Sequence, residues 1–193
     1  YKLIFDEEFD YDDAEYHIVG SYRRGVKNSG DIDVILTNNE PSILKKFVKR
    51  LRDRGVILHI LADGKKKNMV IGQLEGKPAR RLDFLYSPRE EYPFALLYFT
   101  GSATFNVVMR QKALTMNYTL NEHGLRKMVG KVKGDKVEQV FTSEKDIFDF
   151  LNMEYKEPTE RKNGLVEVTQ SIKESSLSMK KNTTLKQYPK EEL

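Results

Sequence analysis

The chain of 193 residues contains no cysteine, which excludes disulfides and thiolate zinc sites and leaves redox chemistry silent about compartment. No apolar run is long enough to cross a bilayer. No amino-terminal signal pattern is visible, and the chain starts at Tyr1 without a methionine. The expectation is a soluble intracellular protein or a fragment of a longer chain, with no membrane partner. Charge of one sign is also lacking in bulk: 33 Lys and Arg stand against 29 Asp and Glu, a net +4. The placement is uneven, however. Seven acids lie between Asp6 and Glu15, and lysines crowd 45–49, 65–67, 127–136 and 180–190. Local basic patches suit a polyanionic partner. The length supports one domain, or one domain with a small satellite, around a real core.

What is present is most informative at Gly20-Ser21-Tyr22-Arg23-Arg24-Gly25 and, five residues on, Gly30-Asp31-Ile32-Asp33-Val34-Ile35-Leu36. On a strand, Asp31, Asp33 and Ile35 project from one face while Ile32, Val34 and Leu36 enter a core. Two carboxylates spaced this way can hold one divalent cation. A Gly-Ser turn with arginines offers N–H groups, a hydroxyl and guanidinium forks to phosphates that such a cation bridges. Together they point to nucleotidyl transfer. The plainer alternative is a turn followed by a solvated strand edge.

Periodicity places the other elements. Residues 1–15 read as an acidic segment without clear period, and Tyr16–Val19 as the first strand. Ser42–Arg54 reads as a helix with Ile43, Leu44, Phe47, Val48 and Leu51 on one stripe, ended by Gly55. Strands follow at Val56–Ala62, Met69–Leu74 and Arg81–Tyr86, with Lys65–Lys67 as a solvated hairpin tip. Helices are expected over Pro88–Phe99, Ser102–Met116 and Ser143–Leu151, the second capped by Ser102 and the third carrying Asp146 three residues after Ser143. Phe105, Val108, Met109 and Leu114 are read as core. Glycines at 124, 130 and 134 punctuate small strands. The fold class is α+β: a palm of nucleotidyltransferase type with a mixed sheet and helices on one face, then a small α+β C-terminal subdomain. The divisions are 1–15, a palm over 16–90, a C-terminal subdomain over 91–159, and a polar flexible tail over 160–193.

Asp83, in Arg80-Arg81-Leu82-Asp83-Phe84, is a third candidate carboxylate. In a two-cation site Asp31 and Asp33 bridge, and Asp83 holds the cation that activates the attacking hydroxyl. Alternatively, Asp83 merely pairs with Arg81.

From Glu15 to about Arg161 the chain resembles the family X DNA polymerases. The resemblance rests on the two glycine segments above, Arg80-Arg81-Leu82-Asp83, Leu97-Tyr98-Phe99-Thr100-Gly101-Ser102, Phe105-Asn106 with Arg110, Leu120-Asn121-Glu122-His123-Gly124-Leu125, and Ser143–Asp149 with Tyr155 and Glu157-Pro158. It implies Asp31, Asp33 and Asp83 as metal ligands and catalytic residues, with Gly20, Ser21, Arg24, Ser29 and Gly30 around the incoming triphosphate. It implies that Tyr98, Phe99 and Gly101 form a sugar pocket that excludes a ribose 2′-hydroxyl, a selection by clash. Asn106 then meets the incoming base, and Arg81, Arg110, Glu122 and His123 serve the DNA, Glu122 by pairing with arginines on closure. Tyr98 and Phe99 also fit ordinary core positions, and Arg23 a surface charge. His123 and Val107 stand where some members carry tyrosine and lysine. No lyase module or helix-hairpin-helix pair precedes Tyr16, so weak binding to gapped DNA is expected.

The function expected is DNA-directed DNA polymerase, extending a 3′-hydroxyl with deoxynucleoside triphosphates during gap-filling repair. The expected cofactor is Mg²⁺, with Mn²⁺ able to serve. The partners are gapped or primer-template DNA and the nucleotide; the protein is a monomer, placed in the nucleus by the family's repair role. The alternatives are a template-independent, terminal-transferase-like enzyme and a non-catalytic DNA-binding remnant.

Overall fold

The structure, a computed structural model, describes residues 1–9 and 14–162. The chain opens with helix α1 (Lys2–Phe9), strand β1 (Glu15–Ile18), the one-turn helix α2 (Gly20–Arg23) and strand β2 (Asp31–Thr37). Helix α3 (Ile43–Asp53) leads to β3 (Ile57–Asp63), β4 (Lys67–Gly72) and β5 (Arg80–Tyr86). These strands form one mixed sheet in the order β1-β2-β5-β4-β3, in which only the β2–β5 pairing is parallel. The expected α+β class therefore holds.

Helix α3 forms where its periodicity places it. Ile43, Leu44, Phe47, Val48 and Leu51 are buried against Val34, Leu36, Leu82 and Phe84 of the sheet, and Gly55, at φ +71°, turns the chain out. The acidic amino-terminal segment differs from expectation, because α1 is part of this core. Phe5 and Phe9, one helical turn apart, are buried beside Phe47, and the Phe5 ring meets Phe47 and Phe84 edge-on. Asp6 pairs within α1 with Lys2, but Glu7 and Glu8 have a partner far along the chain, taking Arg54 at 2.7 and 2.9 Å. Of its four apolar residues Leu3 is exposed and only Phe5 and Phe9 are buried, too few to show a period, so the partners across the fold define this helix.

The second half contains α4 (Tyr92–Thr100), α5 (Ala103–Thr115), β6 (Tyr118–Asn121), β7 (Gly124–Val129), β8 (Val132–Lys136) and α6 (Glu144–Phe150). Strands β6, β7 and β8 make an antiparallel three-stranded sheet. Ser102 caps α5 by accepting from the Phe105 N–H, and Ser143 and Asp146 form a full capping box on α6. Phe94, Leu97, Phe105, Met109, Leu120, Leu125, Ile147 and Phe148 build this half's core. Leu114, expected inside, is 47% exposed, and Ala113 fills the buried position instead. While α1 and α3 cover one face of the large sheet, α4 meets the other at Ile35, through Tyr92 and Ala95.

The expected tail boundary at 160 moves. Pro158–Glu160 is a 3-10 turn and Arg161 is wholly buried, held by Glu144 at 2.7 Å and surrounded by the rings of Phe105, Phe148 and Tyr155. Residues 163–193 of that expected tail lie outside the described residues.

Candidate active site

The site begins with strand parity. On β2, Val34 and Leu36 enter the core under α3 while Asp31, Asp33 and Ile35 face the opposite side. The parallel register with β5 sets Asp33 opposite Asp83 and Asp31 opposite Arg81. The sheet thus brings the three aspartates, taken from two segments about fifty residues apart, onto one face. Asp83 is buried, while Asp31 and Asp33 are partly buried.

In the protein alone, cations stand among these carboxylates. Arg81 donates through Nη2 to Asp31 and through Nε to Asp83 at 3.0 Å, and Lys67 Nζ lies 3.4 Å from the other Asp83 oxygen. Among the described residues no three acidic, histidine or cysteine side chains form a ready metal-binding group. The ion pairs with Arg81 and Lys67 accompany that arrangement. Lys67, expected in a solvated tip, and Arg81, expected as a nucleic-acid contact, both neutralise the acidic face here. The donor chemistry still fits a hard divalent cation. Burial, and then the charges of Asp31 and Asp83, push the Asp33 carboxyl up from its usual value, which is the signature of a site short of positive charge.

The segment before β2 is shaped around Asp33. The Val19 N–H donates to the Asp33 carbonyl at 2.8 Å, closing the chain onto the strand. Gly20 follows at φ +60°, and a Cβ there would stand 2.4 Å from Asp33 Oδ2, so only glycine passes. The Gly-Ser turn expected from the sequence takes the form of one turn of helix, α2. Ser21 and Ser29 share a hydrogen bond at 2.8 Å, and Ser29 donates to the Asp31 carbonyl at 2.7 Å, placing both hydroxyls beside the acidic strand. Gly30 is exposed, with nothing near the position of a Cβ.

Arg24 donates to the Thr100 carbonyl at 2.5 Å at the end of α4, and a Cβ on Gly101 would approach its guanidinium to 3.3 Å. This joins the phosphate-type loop to the Tyr98–Gly101 corner. Arg23, expected as a surface charge, is instead the centre of a partly buried junction. It forks onto both Glu144 oxygens at 2.9 and 2.8 Å and donates to the Thr100 hydroxyl at 2.7 Å. Burial alone would push Glu144 up, but Arg23 and Arg161 outweigh it and hold the carboxyl below its ordinary value. Sequence reasoning missed Glu144 and Arg161. Glu144 stands in the Ser143–Asp149 motif and Arg161 at the end of the resemblance, but no local pattern marks them as a buried charge pair.

The remaining candidates divide between two clefts. Tyr98, Asn106 and Arg110 line one, where Asn106 Nδ2 donates to the Tyr98 carbonyl at 2.8 Å. Phe99 turns to the other, beside Lys67, Glu91, Glu122 and His123. The Tyr98 and Phe99 rings meet edge-on at 5.2 Å, both half-buried. His123 is expected as a DNA contact, but in the protein alone its Nδ1 lies 2.8 Å from Glu91. Glu122 reaches His123 at 3.8 Å and, among the described residues, no arginine.

Comparison with known proteins covers nearly all of this architecture. The DNA polymerase beta palm family matches residues 5–89 and the DNA polymerase beta thumb family residues 95–162. The chain is 37% identical over 158 residues to DNA polymerase lambda of Rattus norvegicus, covering 74% of this chain and 28% of that protein. It is 30% identical to DNA polymerase lambda of Arabidopsis thaliana, over 31% of that protein. Repair DNA polymerase X of African swine fever virus is 29% identical over 143 residues, and the match covers 79% of its length. The chain therefore spans less than a third of the polymerase lambda relatives and most of the viral one.

Proposed function

The chain belongs to the family X DNA polymerases, and from that premise we propose that it is a DNA-directed DNA polymerase that adds a deoxynucleotide to a DNA 3′-hydroxyl in repair synthesis. The observation that carries the reading is the β2–β5 register, with Asp33 beside Asp83, Asp31 on the same face, and Gly20 leaving room over Asp33. A lone strand edge needs none of these.

Family X polymerases are generally metal dependent, and Mg²⁺ is the proposed ion, with Mn²⁺ able to replace it, since carboxylates and triphosphate oxygens are hard donors. Asp31, Asp33 and Asp83 are the residues that would hold it; when bound, it supplies acidity to the attacking hydroxyl and charge to the triphosphate. Arg81 and Lys67 occupy the same carboxylates in the free protein, so their ion pairs compete with loading. Ser21, Ser29 and Arg24, with the Gly20 and Gly30 backbone, bind and orient the triphosphate. Tyr98 and Phe99 wall the sugar at the Gly101 corner, Asn106 meets the base, and Arg110, Glu122 and His123 meet the DNA after exchanging their present partners. One chain supplies every one of these groups, so a monomer suffices. The polymerase lambda relatives favour a nuclear setting. No helix among the described residues is long and apolar enough to cross a membrane.

The test is single-nucleotide extension with Mg²⁺ on a one-nucleotide gap, each deoxynucleotide offered against each templating base, with a single-stranded primer as control. Matched incorporation alone, lost in Asp83→Ala, is the expected result. Extension of the lone primer would replace the reading with a template-independent enzyme, and undiminished incorporation by Asp83→Ala would remove Asp83 from the site.

A further inference from the structure

The β7–β8 ribbon is densely basic. Residues 124–136 carry Arg126, Lys127, Lys131, Lys133 and Lys136 against the single acid Asp135. All five cations are exposed, and among the described residues none has a carboxylate partner; Arg126 donates only to the Gly134 carbonyl. Other exposed cations divide: Lys2, Lys49, Arg54 and Lys145 hold ion pairs, while among the described residues Lys45, Lys65, Lys66 and Lys77 have no carboxylate partner. It is the density of cations on one two-stranded ribbon that stands out. Glu90 and Glu138 share a cleft with Lys136, yet no ribbon cation pairs with an acid among the described residues.

The tip adds an apolar feature that the core does not explain. Val129 and Val132 are direct cross-strand partners, 71% and 69% exposed, on either side of the Gly130–Lys131 connection. Packing of β7 into the core of this half stops at Leu125. The other end of β7 begins at Gly124, next to His123 in the cleft beside Lys67 and Phe99. At about 3.4 Å per residue, Val129 lies about 17 Å along the strand from that cleft. Over the same distance a duplex rises by about five base pairs, at about 3.4 Å each.

We propose that the β7–β8 ribbon is a second contact surface for duplex DNA, its lysines on phosphates and the Val129–Val132 pair against the sugar edges of a groove. The inference rests on the polymerase reading and adds a surface outside its active site. A two-stranded ribbon has the width a major groove admits. Protein interfaces are depleted in lysine, which speaks against a protein partner. The ribbon carries no aromatic side chain on which unpaired bases could stack, which speaks against single strands.

The experiment uses the full chain and a combined Lys127→Gln, Lys131→Gln, Lys133→Gln variant, with affinity for a fluorescent gapped duplex measured across NaCl concentrations. The slope of log affinity against log salt is expected to become shallower by about 2 to 3, close to one for each phosphate that the variant no longer neutralises. A Val129→Ser, Val132→Ser variant keeps every charge, so its slope stays parental while affinity drops at all salt concentrations. An unchanged slope in the lysine variant overturns the proposal. So does an equal loss on a single-stranded oligonucleotide, or parental binding to phosphatidylserine vesicles as tight as to duplex. Urea unfolding confirms that the variants stay folded, as exposed positions predict. Failure of the polymerase reading shows separately, as absent incorporation by the parent whatever the slopes.

Discussion

Gly20 and Asp33 constrain each other, and the consequence is measurable at single residues. Gly20→Ala must place a Cβ 2.4 Å from Asp33 Oδ2 at a φ of +60°. The left-handed backbone alone costs about 1–2 kcal/mol, so urea unfolding should show at least that loss, and incorporation should fall because Asp33 is displaced. Gly30→Ala, with open space at its Cβ, should leave stability unchanged. Asp33 itself is held at a cost, since its raised carboxyl favours folding at low pH and loses that contribution as pH rises through the folded-state value. Asp33→Asn should therefore melt higher than the parent at neutral pH while losing incorporation, and only the parent's melting temperature should climb with added Mg²⁺. Glu144 has the opposite sign. Its lowered carboxyl contributes stability above its ordinary value near 4.5, and that stability is lost as pH falls through the lower folded-state value. Glu144→Gln leaves Arg161 charged and fully buried, for an expected loss of about 3 kcal/mol or more. Asn68, buried with neither amide atom paired among the described residues, marks a different kind of residue cost. Asn68→Leu should raise stability by about 1–2 kcal/mol in the same unfolding assay.

At the scale of elements, α1 and α2 show how context overrides local preference. A glycine at the head of a four-residue helix is unfavourable by propensity, yet α2 forms between the Val19–Asp33 backbone bond and the Arg23 junction. Helix α1 owes its place to two phenylalanines and to arginines supplied by α3 and its carboxyl end. Phe5→Ala should cost about 3–5 kcal/mol, measured as a lower urea midpoint; a chain indifferent to this change would mean that α1 is no part of the core. The long periodic helix α3 and the capped α5 and α6 are legible in the sequence because each carries its own stripe or cap. A helix whose partners lie more than forty residues away carries no such signal.

For the whole molecule, the junction between the two halves is made by α4, which packs on the large sheet at Ile35 and on Val19 just past β1, and touches β1 through the Tyr92 hydroxyl, 2.7 Å from His17 Nδ1. Burial, helped by Arg23, keeps the His17 ring below its usual value, so the neutral ring suits the fold. Unfolding releases a ring that protonates more readily, and stability should fall as pH drops through about 6.5 towards the lower folded-state value. That loss should be absent in His17→Gln. Asp31, Asp33 and Asp83, the Gly-Ser stretch, the α3 stripe and the family resemblance were all readable from the chain, since strand parity, turn residues and helical spacing are local properties. The arrangement of the site was not. That Asp33 lies beside Asp83, that Arg81 bridges Asp31 and Asp83, and that Arg23 meets Glu144 across 121 residues depend on one parallel register and one interface between halves. Register is set by burying Val34, Leu36, Leu82 and Phe84 together beneath α3. The sequence by itself determined which side chains could carry the chemistry; only the packing of distant segments decided which charges they face.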